Sequence, residues 1–587
     1  MRGSRSTRLM CPLHPTFGFL VTGVIILFSG CTPGPSSSTT GPPPDAGVTR
    51  PGHAGATGVG SRPFGASGAG QADPSKTVSS IADDRMSVIP AAAVLSKQLT
   101  LSPFRFAEIS KEAGIDFVHF SGMTAEKHYP TANGSGVAVF DYNNDGLLDI
   151  YFATATLLPL GTALEGPNRL YKNQGGNHFE DVTLASGLGY RGFCHGIIAG
   201  DIDNDGDQDV FLCNYGSNAL YLNNGDGTFR DISKQAGVDA PNWSSGGAML
   251  DYDNDGFLDI YVANYGRWIY PDDHHHFGDN EKKIWLYPSP RTVTTVRHLF
   301  YHNNGNKTFT DVFDKVITTE REVVDPATQS KKMVRTPGPR ADGHGFGVVT
   351  ADLNGDGLID IFVANDMNPN FLFLNHGDGT FDDVSEMSGA AFNKDGAAQS
   401  GMGVDAEDVD GDALPELFVT TYVNEYSTLF QNLGDGCFLD ITQNFGLASD
   451  SAPWVKWGCA LADFDNDGWP DCFFVNGQID NNRRLLAQPV DYEEIPLLFR
   501  NDHGKRFRLA TRDAGPYFDT GHVGRGAAFG DVDNDGDVDI VVNHKDAAPA
   551  LLRNDTRSGH HWIRSALQGT KSNRDAIGAR LEITTGE

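Results

Sequence analysis

Seven short segments of the chain concentrate oxygen-bearing side chains at one fixed spacing. The last of them, DVDNDGDVDIVVN from Asp531, holds five aspartates within nine residues. Each segment places Asp, Asn or Glu at positions 1, 3, 5 and 9 of a loop. Like charges held this close repel one another, so the pattern predicts a bound cation. Oxygen ligands at irregular geometry favour calcium over magnesium, and the lack of Cys and His at these positions disfavours soft metals. We therefore predict up to seven Ca²⁺ ions as the cofactors.

The predicted ligands follow from the loop positions. Side chains bind from positions 1, 3, 5 and 9, while the variable residue at position 7 offers its backbone carbonyl. The side-chain ligands are Asp141, Asn143, Asp145 and Asp149; Asp201, Asp203, Asp205 and Asp209; Asp251, Asp253, Asp255 and Asp259; Asp352, Asn354, Asp356 and Asp360; Asp408, Asp410, Asp412 and Glu416; Asp463, Asp465, Asp467 and Asp471; and Asp531, Asp533, Asp535 and Asp539. The backbone ligands are Leu147, Asp207, Phe257, Leu358, Leu414, Trp469 and Asp537.

Two alternatives to this type of calcium loop were weighed. An EF-hand loop requires Glu at position 12, and this position is apolar in all seven loops. These apolar residues are Phe152, Leu212, Val262, Val363, Val419, Phe474 and Val542. In the second alternative, metal-free Asx turns shape the hairpin tips. It is most plausible in the loop from Asp408, where Ala413 replaces Gly and Glu416 replaces Asp.

The segments around the loops predict short β-strands. In the unit 194–235, the runs HGIIAGD and QDVFLCN flank the acidic loop, and ALYLN, the turn NGDG and TFRDIS follow. Asx-Gly turns between such runs are typical of hairpins, and four short antiparallel strands form a propeller blade. The loops start 60, 50, 101, 56, 55 and 68 residues apart, as in a repeat architecture. The predicted fold is all-β, a seven-bladed β-propeller over residues 102–568 with an insertion at 266–340.

A glycine marks the strand before every loop and supports the same fold. It stands five residues before the first loop Asp, at Gly136, Gly196, Gly246, Gly347, Gly403, Gly458 and Gly526. A missing Cβ permits close backbone approach, so we expect this strand to be innermost. The segment FRFAEISKEAGI at 104–115 is predicted to complete the blade built around Asp531. A six- or eight-bladed ring is the alternative, because the 101-residue spacing could hide a degenerate blade.

The N-terminal 31 residues are typical of an export signal. Arg2, Arg5 and Arg8 precede an apolar stretch at 17–28, which is too short to span a bilayer comfortably. The stretch ends in LFSGC, so Cys31 is a predicted lipidation site, with ordinary signal-peptide cleavage nearby as the alternative. Residues 32–101 are rich in Pro, Gly and Ser and predict a disordered linker. We therefore expect a cell-surface or outer-membrane lipoprotein, or a secreted protein.

Charge and cysteine content restrict the partners and the chemistry. The formal net charge is −31, and 26 of the 76 acidic side chains lie at positions 1, 3, 5 and 9 of the loops. Such an acidic chain disfavours nucleic acid and anionic membrane surfaces as partners, so membrane contact is expected only through the lipid anchor. The cysteines form no CxxC pair, which disfavours a zinc site. Cys194/Cys213 or Cys459/Cys472 could form a disulfide, although we expect mostly buried, free thiols.

The combined motifs resemble a known family. The loops are similar to the FG-GAP/VCBS repeats of integrin-α-type propellers, and the match extends to AQSGMGVDAEDVDGD at 398–412 and GRGAAFGDVDNDGDVDIVVN at 524–543. With SNRDAIGARLEI at 572–583, the chain resembles the CRTAC1-like family of secreted propellers with a C-terminal ASPIC/UnbV domain. The resemblance implies calcium-bound loops and an adhesion or matrix-binding role. Residues 569–587 correspond to the start of that domain, which appears truncated after about its first strand.

Two classes of function remain open from the sequence. The first is a non-enzymatic module that binds a protein or glycan, and the second is a carbohydrate-active enzyme resembling a polysaccharide lyase. No catalytic residue is predicted, since no HExxH motif or nucleophile elbow occurs. His274, His275 and His276 in the insertion lie beside Asp272, Asp273 and Asp279, and they form either a transition-metal cluster or an exposed polar loop. His195, Trp457 and Arg525 precede marker glycines and either line the central channel or pack the inner strands.

Overall fold

The computed structural model describes most of the chain beyond residue 90. The described ranges are 91–98, 100–162, 166–324, 331–339, 342–486, 491–579 and residue 581, together with 15–16, 19–20 and 25–26. The predicted lipidation site at Cys31 and most of the predicted linker lie outside these residues. The linker's last residues contain helix α1 (Ala91–Leu95), whose Val94 is fully buried. The folded body therefore includes residues before the predicted boundary at 102.

Short β-strands make up nearly all of the regular structure. In chain order they are β1 (Pro15–Thr16), β2 (Phe19–Leu20), β3 (Ile25–Ile26), β4 (Phe106–Glu108), β5 (Val137–Phe140), β6 (Asp149–Phe152), β7 (Arg169–Asn173), β8 (Phe179–Asp181), β9 (Cys194–Gly200), β10 (Asp209–Ser217), β11 (Ala219–Asn223), β12 (Phe229–Asp231), β13 (Pro241–Leu250), β14 (Asp259–Asn264), β15 (Phe277–Asp279), β16 (Ile284–Leu286), β17 (Leu299–Asn303), β18 (Phe309–Asp311), β19 (Ile317–Val324), β20 (Lys331–Pro337), β21 (Gly345–Ala351), β22 (Asp360–Asn365), β23 (Phe371–Asn375), β24 (Phe381–Asp383), β25 (Val404–Glu407), β26 (Glu416–Val419), β27 (Thr428–Asn432), β28 (Phe438–Asp440), β29 (Lys456–Ala462), β30 (Asp471–Asn476), β31 (Leu497–Asn501), β32 (Phe507–Leu509), β33 (Gly524–Gly530), β34 (Asp539–His544), β35 (Ala550–Asn554) and β36 (Ile563–Arg564).

Helices are short and lie outside the strands. Besides α1 they are α2 (Thr183–Ser186), α3 (Ser233–Ala236), α4 (Phe313–Val316), α5 (Ser385–Ser388) and α6 (Ala448–Ser451), with 3-10 turns at Tyr129–Ala132, Pro290–Thr292, Arg483–Leu486 and Pro516–Asp519. In the part of the chain that the structure describes, no helix has the length and apolarity needed to cross a membrane.

The strands assemble into antiparallel arrays of four, and the described residues contain seven of them. Arrays 1 and 2 are β5–β8 and β9–β12, array 3 is β13, β14, β17 and β18, and arrays 4, 5 and 6 are β21–β24, β25–β28 and β29–β32. Array 7 consists of β33, β34, β35 and β4. In array 7, Asn554 pairs with Phe106 and Leu552 with Glu108, so an N-terminal strand completes the last array. This pairing confirms the prediction made for residues 104–115.

The predicted insertion at 266–340 is two separate excursions rather than one segment. Strands β17 and β18 lie inside this interval, yet they pair as the third and fourth strands of array 3. The first excursion contains the β15–β16 hairpin. The second is the β19–β20 hairpin, whose β19 pairs in parallel with β24 at the edge of array 4. Within the described residues of the interval there is no additional four-stranded array.

The hydrophobic core lies between neighbouring arrays. Inner strands such as β6 and β14 are buried along their whole length, as expected for strands covered on both faces. One cluster joins arrays 3 and 4 through residues such as Tyr261 and Phe373, and another joins arrays 5 and 6 through Phe418 and Phe474. The largest cluster includes residues of arrays 1 and 2 and also Ala528 and Val541 of array 7. The first and last arrays therefore share a core.

The cysteines of the described body are free. Cys194, Cys213, Cys459 and Cys472 are buried and Cys437 is exposed. Burial raises the pKa of the Cys194 thiol to about 12, so this thiol stays protonated and unreactive at neutral pH. The expectation of mostly buried, free thiols is confirmed.

Candidate metal-binding loops

The strand before each acidic loop leads to a common narrow cavity. The residues that precede the marker glycines line it from six arrays, namely Ser135, His195, Ser245, Phe346, Trp457 and Arg525. The Arg525 guanidinium lies 4.0 Å over the Trp457 ring and donates to the carbonyl oxygens of Gly477 and Gln478. The cavity measures about 20 Å³, which is room for about one water molecule. His195, Trp457 and Arg525 therefore pack the inner strands, as one of the two sequence interpretations expected.

Close packing between adjacent inner strands explains the marker glycines. A Cβ on Gly246 would lie 2.5 Å from the Phe346 carbonyl oxygen, and one on Gly403 would lie 2.2 Å from the Trp457 carbonyl oxygen. Neither distance is sterically possible, so any side chain here would push two arrays apart. The sequence-based explanation of these glycines is correct.

Each acidic loop is held in shape by its own carboxylates. The position 1 carboxylate accepts the backbone N–H of position 6 at 2.6–3.0 Å in all seven loops. The position 5 carboxylate accepts the N–H of position 7 at 2.8–3.1 Å in all seven. These contacts lie within nine residues and depend only on local sequence. They turn the remaining oxygens of positions 1, 3 and 5 toward one another.

Positions 4 and 6 adopt left-handed backbone conformations, which explains their small residues. Position 4 is Asn or Gly in every loop, with φ between 54° and 84°. Position 6 is Gly in six loops, whereas the loop from Asp408 has Ala413 at a φ of 71°. A side chain at this φ costs about 1–2 kcal/mol. The Asp408 loop thus keeps the common shape at the cost of backbone strain.

Several carboxylate oxygens in the loops are buried without a hydrogen-bond partner. Four of them belong to position 3, and they are Oδ1 of Asp203, Asp410, Asp465 and Asp533. Oδ1 of Asp251, at position 1, is a fifth. An unsatisfied buried polar atom costs about 1–3 kcal/mol, and more when it is charged. A cation bound at the loop centre would remove this cost.

The carboxylates also lie close enough together to share one ion. Ligand atoms within 4.8 Å of one another occur in the set Asp201, Asp203 and Asp209 and in the set Asp251, Asp253 and Asp255. The loop from Asp408 forms the same kind of group, with Glu416 in place of Asp at position 9. The donor set consists of carboxylate oxygens, so it fits a hard cation such as Ca²⁺.

Burial and mutual repulsion disfavour the ionised form of these acids. Burial is the main cause, and it raises the pKa of Asp201 and Asp531 to about 6 and that of Asp463 to about 7. The pKa of Asp149 rises to about 8 and that of Glu416 to about 9 for the same reason. Without a cation, the loops at neutral pH hold charge that the fold does not compensate.

Basic side chains compensate part of this charge in some loops. Arg500 contacts Asp465 and Asp467, with both nitrogen–oxygen distances at 2.7 Å. Lys172 lies 3.2 Å from Asp145, and Lys307 pairs with Asp203. The loop from Asp463 is therefore the one in which a guanidinium competes most directly with a metal ion.

Position 9 has a second role that the loop pattern alone did not indicate. It is the first residue of the second strand in every array, and each of these acids is at most 1 % exposed. One oxygen accepts the N–H of position 2 at 2.9–3.2 Å. The other accepts an asparagine N–H on the third strand at 2.7–3.3 Å. Position 9 thus fastens the first three strands of each array together.

The asparagines that end the third strands were missed by the sequence reasoning. They are Asn173, Asn223, Asn303, Asn375, Asn432, Asn501 and Asn554. Each side-chain amide donates to the position 2 carbonyl of the preceding array at 2.7–3.0 Å. The series is cyclic, because Asn173 of array 1 donates to Val532 of array 7. An Asn ending all seven third strands was the signal available in the sequence.

The C-terminal segment packs against the loops. Asp575 accepts the Asp201 N–H at 2.8 Å, and the Asn204 side chain accepts the Arg574 N–H at 2.8 Å. Ile577 joins the largest core cluster. Residues 569–579, predicted to begin an ASPIC/UnbV domain, therefore cover part of the loop surface, while 582–587 lie outside the described residues.

The repeated loop and its four-stranded array place the chain in the class of FG-GAP-like repeat proteins. The model of the FG-GAP-like repeat matches residues 158–212, 201–262, 352–419 and 408–474. Three of these matches begin at the first Asp of one loop and end at position 12 of the next. The FG-GAP resemblance drawn from the sequence is confirmed.

Among curated proteins, the chain is similar to cartilage acidic protein 1. It is 27% identical to the Xenopus tropicalis protein over 247 residues, which cover 41% of this chain and 35% of that protein. The Homo sapiens protein is also 27% identical over 247 residues, covering 41% of this chain and 34% of the relative. The matched region is thus about a third of the length of these relatives.

Solved structures show only distant similarity. An Agrocybe aegerita lectin, described for its recognition of non-reducing terminal N-acetylglucosamine, is 16% identical with a TM-score of 0.38, covering 75% of this chain and 92% of the lectin. A Photorhabdus luminescens Tc holotoxin pore is 14% identical with a TM-score of 0.32, covering 72% of this chain and 18% of that chain.

Proposed function

We propose that the chain is an exported, calcium-stabilised β-propeller that binds a protein or glycan at the cell surface without catalysing a reaction. The observation that carries the calcium part is the set of buried position 3 oxygens without a hydrogen-bond partner, at Asp203, Asp410, Asp465 and Asp533. Position 3 points at the loop centre in four separate arrays, so one chemical cause accounts for all four.

Seven blades in a closed ring are the arrangement that best fits the contacts. The asparagine relay passes from each array to the preceding one and returns from array 1 to array 7. A Cβ on Gly526 of array 7 would lie 2.7 Å from the Gly136 Cα of array 1, as expected of adjacent blades. Strand β4 completes array 7 and joins the two ends of the repeat region.

The free energy available from calcium is large enough to decide folding. Extracellular sites bind Ca²⁺ with Kd of roughly 0.1–1 mM, so at about 2 mM calcium each adds roughly 0.6–1.8 kcal/mol. Seven such sites sum to roughly 5–12 kcal/mol, comparable with the whole stability of a typical domain. We therefore expect calcium removal to lower the unfolding temperature strongly.

A calcium count on matched variants tests this part. Asp203→Asn weakens one loop at position 3, while Asp226→Asn changes an exposed acid in the neighbouring β11–β12 turn. After dialysis against micromolar calcium, elemental analysis should find about one ion fewer in Asp203→Asn and no change in Asp226→Asn. An ion-free wild-type protein, with the same unfolding temperature in millimolar calcium and in EGTA, would refute the proposal.

A cavity of about 650 Å³ between arrays 1 and 2 is our candidate for the ligand surface. Leu160, Tyr190, Arg191 and Tyr215 are among its lining residues, and this mixture of aromatic faces and polar groups suits a sugar or a peptide. Leu160 is 46% exposed at the rim, whereas Leu184 is 89% exposed and does not line the cavity.

Binding and catalysis are separated by two assays on the full chain in calcium. A glycan array and a panel of matrix proteins should yield saturable binding that Leu160→Asp weakens and Leu184→Asp preserves. Incubation with acidic polysaccharides should yield no unsaturated product in ultraviolet absorbance. Steady release of such a product would replace the binding proposal with the lyase-like enzyme.

Export and lipid anchoring at Cys31 complete the proposal. The supporting observation is the Arg-containing, apolar N-terminal sequence that ends in LFSGC. Expression in a bacterium fed a labelled fatty acid should label the wild-type protein in the membrane fraction and leave Cys31→Ser unlabelled. Equal labelling of both, or retention in the cytoplasm, would contradict this part.

A further inference from the structure

Two segments far apart in sequence bring metal-binding side chains together outside the acidic loops. Glu126 precedes the Tyr129–Ala132 turn, while His274 and His276 precede β15 in the first excursion. His276 Nε2 lies 2.7 Å from Glu126 Oε2, and His274 Nε2 lies 3.7 Å from the same oxygen. Candidate ligand atoms of these three residues all lie within 4.8 Å of one another. The neighbouring acids that the sequence suggested are engaged elsewhere, since Asp279 pairs with Lys282 and Asp273 accepts the Ile269 N–H.

The histidine rings of this cluster are fixed, and two ring nitrogens have unmet hydrogen-bonding capacity. The His276 ring stacks on Trp285 with centroids 4.3 Å apart. His274 Nε2 is buried and has no hydrogen-bond partner. Behind His274 lies the ring of His128, 4.7 Å away and 5% exposed, and its Nδ1 is also buried without a partner. Such unmet capacity costs about 1–3 kcal/mol, so a ligand that takes the His274 lone pair would be favoured.

We infer that Glu126, His274 and His276 form a binding site for a divalent transition-metal ion of the Zn²⁺ type. Imidazole and carboxylate ligands suit Zn²⁺ and its neighbours, whereas Ca²⁺ prefers oxygen alone. Zinc–ligand bonds of about 2.0–2.1 Å place tetrahedral ligand atoms about 3.3–3.4 Å apart. The two measured distances, 2.7 and 3.7 Å, bracket this value, so small side-chain rotations bring both nitrogens and the oxygen into range. A water or an incoming ligand would occupy the fourth position.

The bound ion would clamp the first excursion onto the segment that closes one end of the axial cavity. Glu126 lies six residues before Ala132, whose carbonyl accepts from Arg525 in the cavity wall. A cavity of about 430 Å³ adjoins the site, lined by Ala125 and Lys127 beside Glu126 and by Trp285 beneath His276. The metal is therefore independent of the calcium loops and acts on the surface formed by the two segments.

Matched histidine variants test this site in the full chain. Wild type, Glu126→Gln, His274→Ala, His276→Ala and His275→Ala would be purified without a histidine tag and kept in 2 mM calcium. His275 lies between the two ligands but is exposed and outside the cluster, so it is the control. We expect wild type and His275→Ala to bind one Zn²⁺ with Kd below ~10 µM by equilibrium dialysis. Affinity should fall at least tenfold in each of the other three variants.

A second readout reports the ligand geometry, and a third reports folding. Co²⁺ in the wild-type site should give the intense visible absorption of a tetrahedral complex, which Zn²⁺ displaces. Calcium content and circular dichroism should be the same in all variants, because the cluster lies outside the four-stranded arrays. Absence of saturable Zn²⁺ binding, or equal binding by His275→Ala and the His274→Ala/His276→Ala double variant, would overturn the inference.

Discussion

The buried asparagine at the end of β11 tests how adjacent arrays are held together. Asn223 is 2% exposed, and its amide donates to the Tyr142 carbonyl of array 1 at 2.8 Å and to the Gln208 carbonyl at 3.1 Å. Its side-chain oxygen accepts the Gly225 N–H at 3.1 Å. Asn223→Ala removes all three hydrogen bonds and leaves two carbonyl groups without this partner. At about 1 kcal/mol per bond, the loss of stability is about 3 kcal/mol.

The adjacent Asn224 provides a matched control. Asn224 is exposed, and its side chain bonds only to Thr228 and Arg230 of the same hairpin. We expect Asn224→Ala to change stability by less than about 0.5 kcal/mol. Asn223→Asp keeps the shape but replaces the donor with a carboxylate that faces two carbonyl oxygens. It should therefore destabilise more than Asn223→Ala.

Calorimetry at saturating calcium measures these differences. With an unfolding entropy of about 2.1 cal/mol/K per residue, a folded body of about 480 residues loses ~1 °C per kcal/mol. Asn223→Ala should lower Tm by about 3 °C, Asn223→Asp by more, and Asn224→Ala by less than about 1 °C. If the two alanine variants melted together, the relay would contribute nothing between arrays and the reasoning would be wrong.

Three further perturbations address the loops and the thiols. Ala413→Gly should raise stability by about 1 kcal/mol in urea unfolding, because glycine adopts the left-handed φ of 71° without strain. An unchanged midpoint would argue against strain at this residue. In EDTA, stability should fall between pH 5 and pH 9, since burial raises the pKa of Asp149 to about 8 and that of Glu416 to about 9. The folded chain then binds more protons than the unfolded chain, so this stability is full below the ordinary carboxyl pKa and is lost as pH rises through the raised values. Equal urea midpoints at pH 5 and pH 9 would contradict this. Finally, a maleimide should label Cys437 in the native described body and the four buried thiols only after unfolding, with Cys437→Ser as the unlabelled control.

The residues whose roles could be predicted from sequence act within short distances along the chain. The loop from Asp531 is an example, because its position 1 and position 5 carboxylates bond to backbone groups only two to five residues away. The glycine before each loop was likewise informative, since a missing Cβ has few explanations when it recurs seven times. Strand pairing within an array follows from the same local order of strand and turn.

The asparagine relay was predictable in part. Asn554 recurs at the end of its strand in every repeat, so the repetition was visible in the sequence. Its partner was not, because the Phe464 carbonyl lies 90 residues away in another array. Periodicity identifies which residues repeat, whereas the contact depends on how the arrays pack.

What the sequence by itself determined is the repeating unit, namely an acidic loop flanked by four short strands. Tertiary structure alone decided the long-range partners: strand β4 beside β35, the division of the 266–340 interval, and Glu126 beside His274 and His276. The physical reason is chain distance. Turn chemistry and strand alternation act over a few residues, but contacts between residues 150 to 450 positions apart form only when the packed core brings them together.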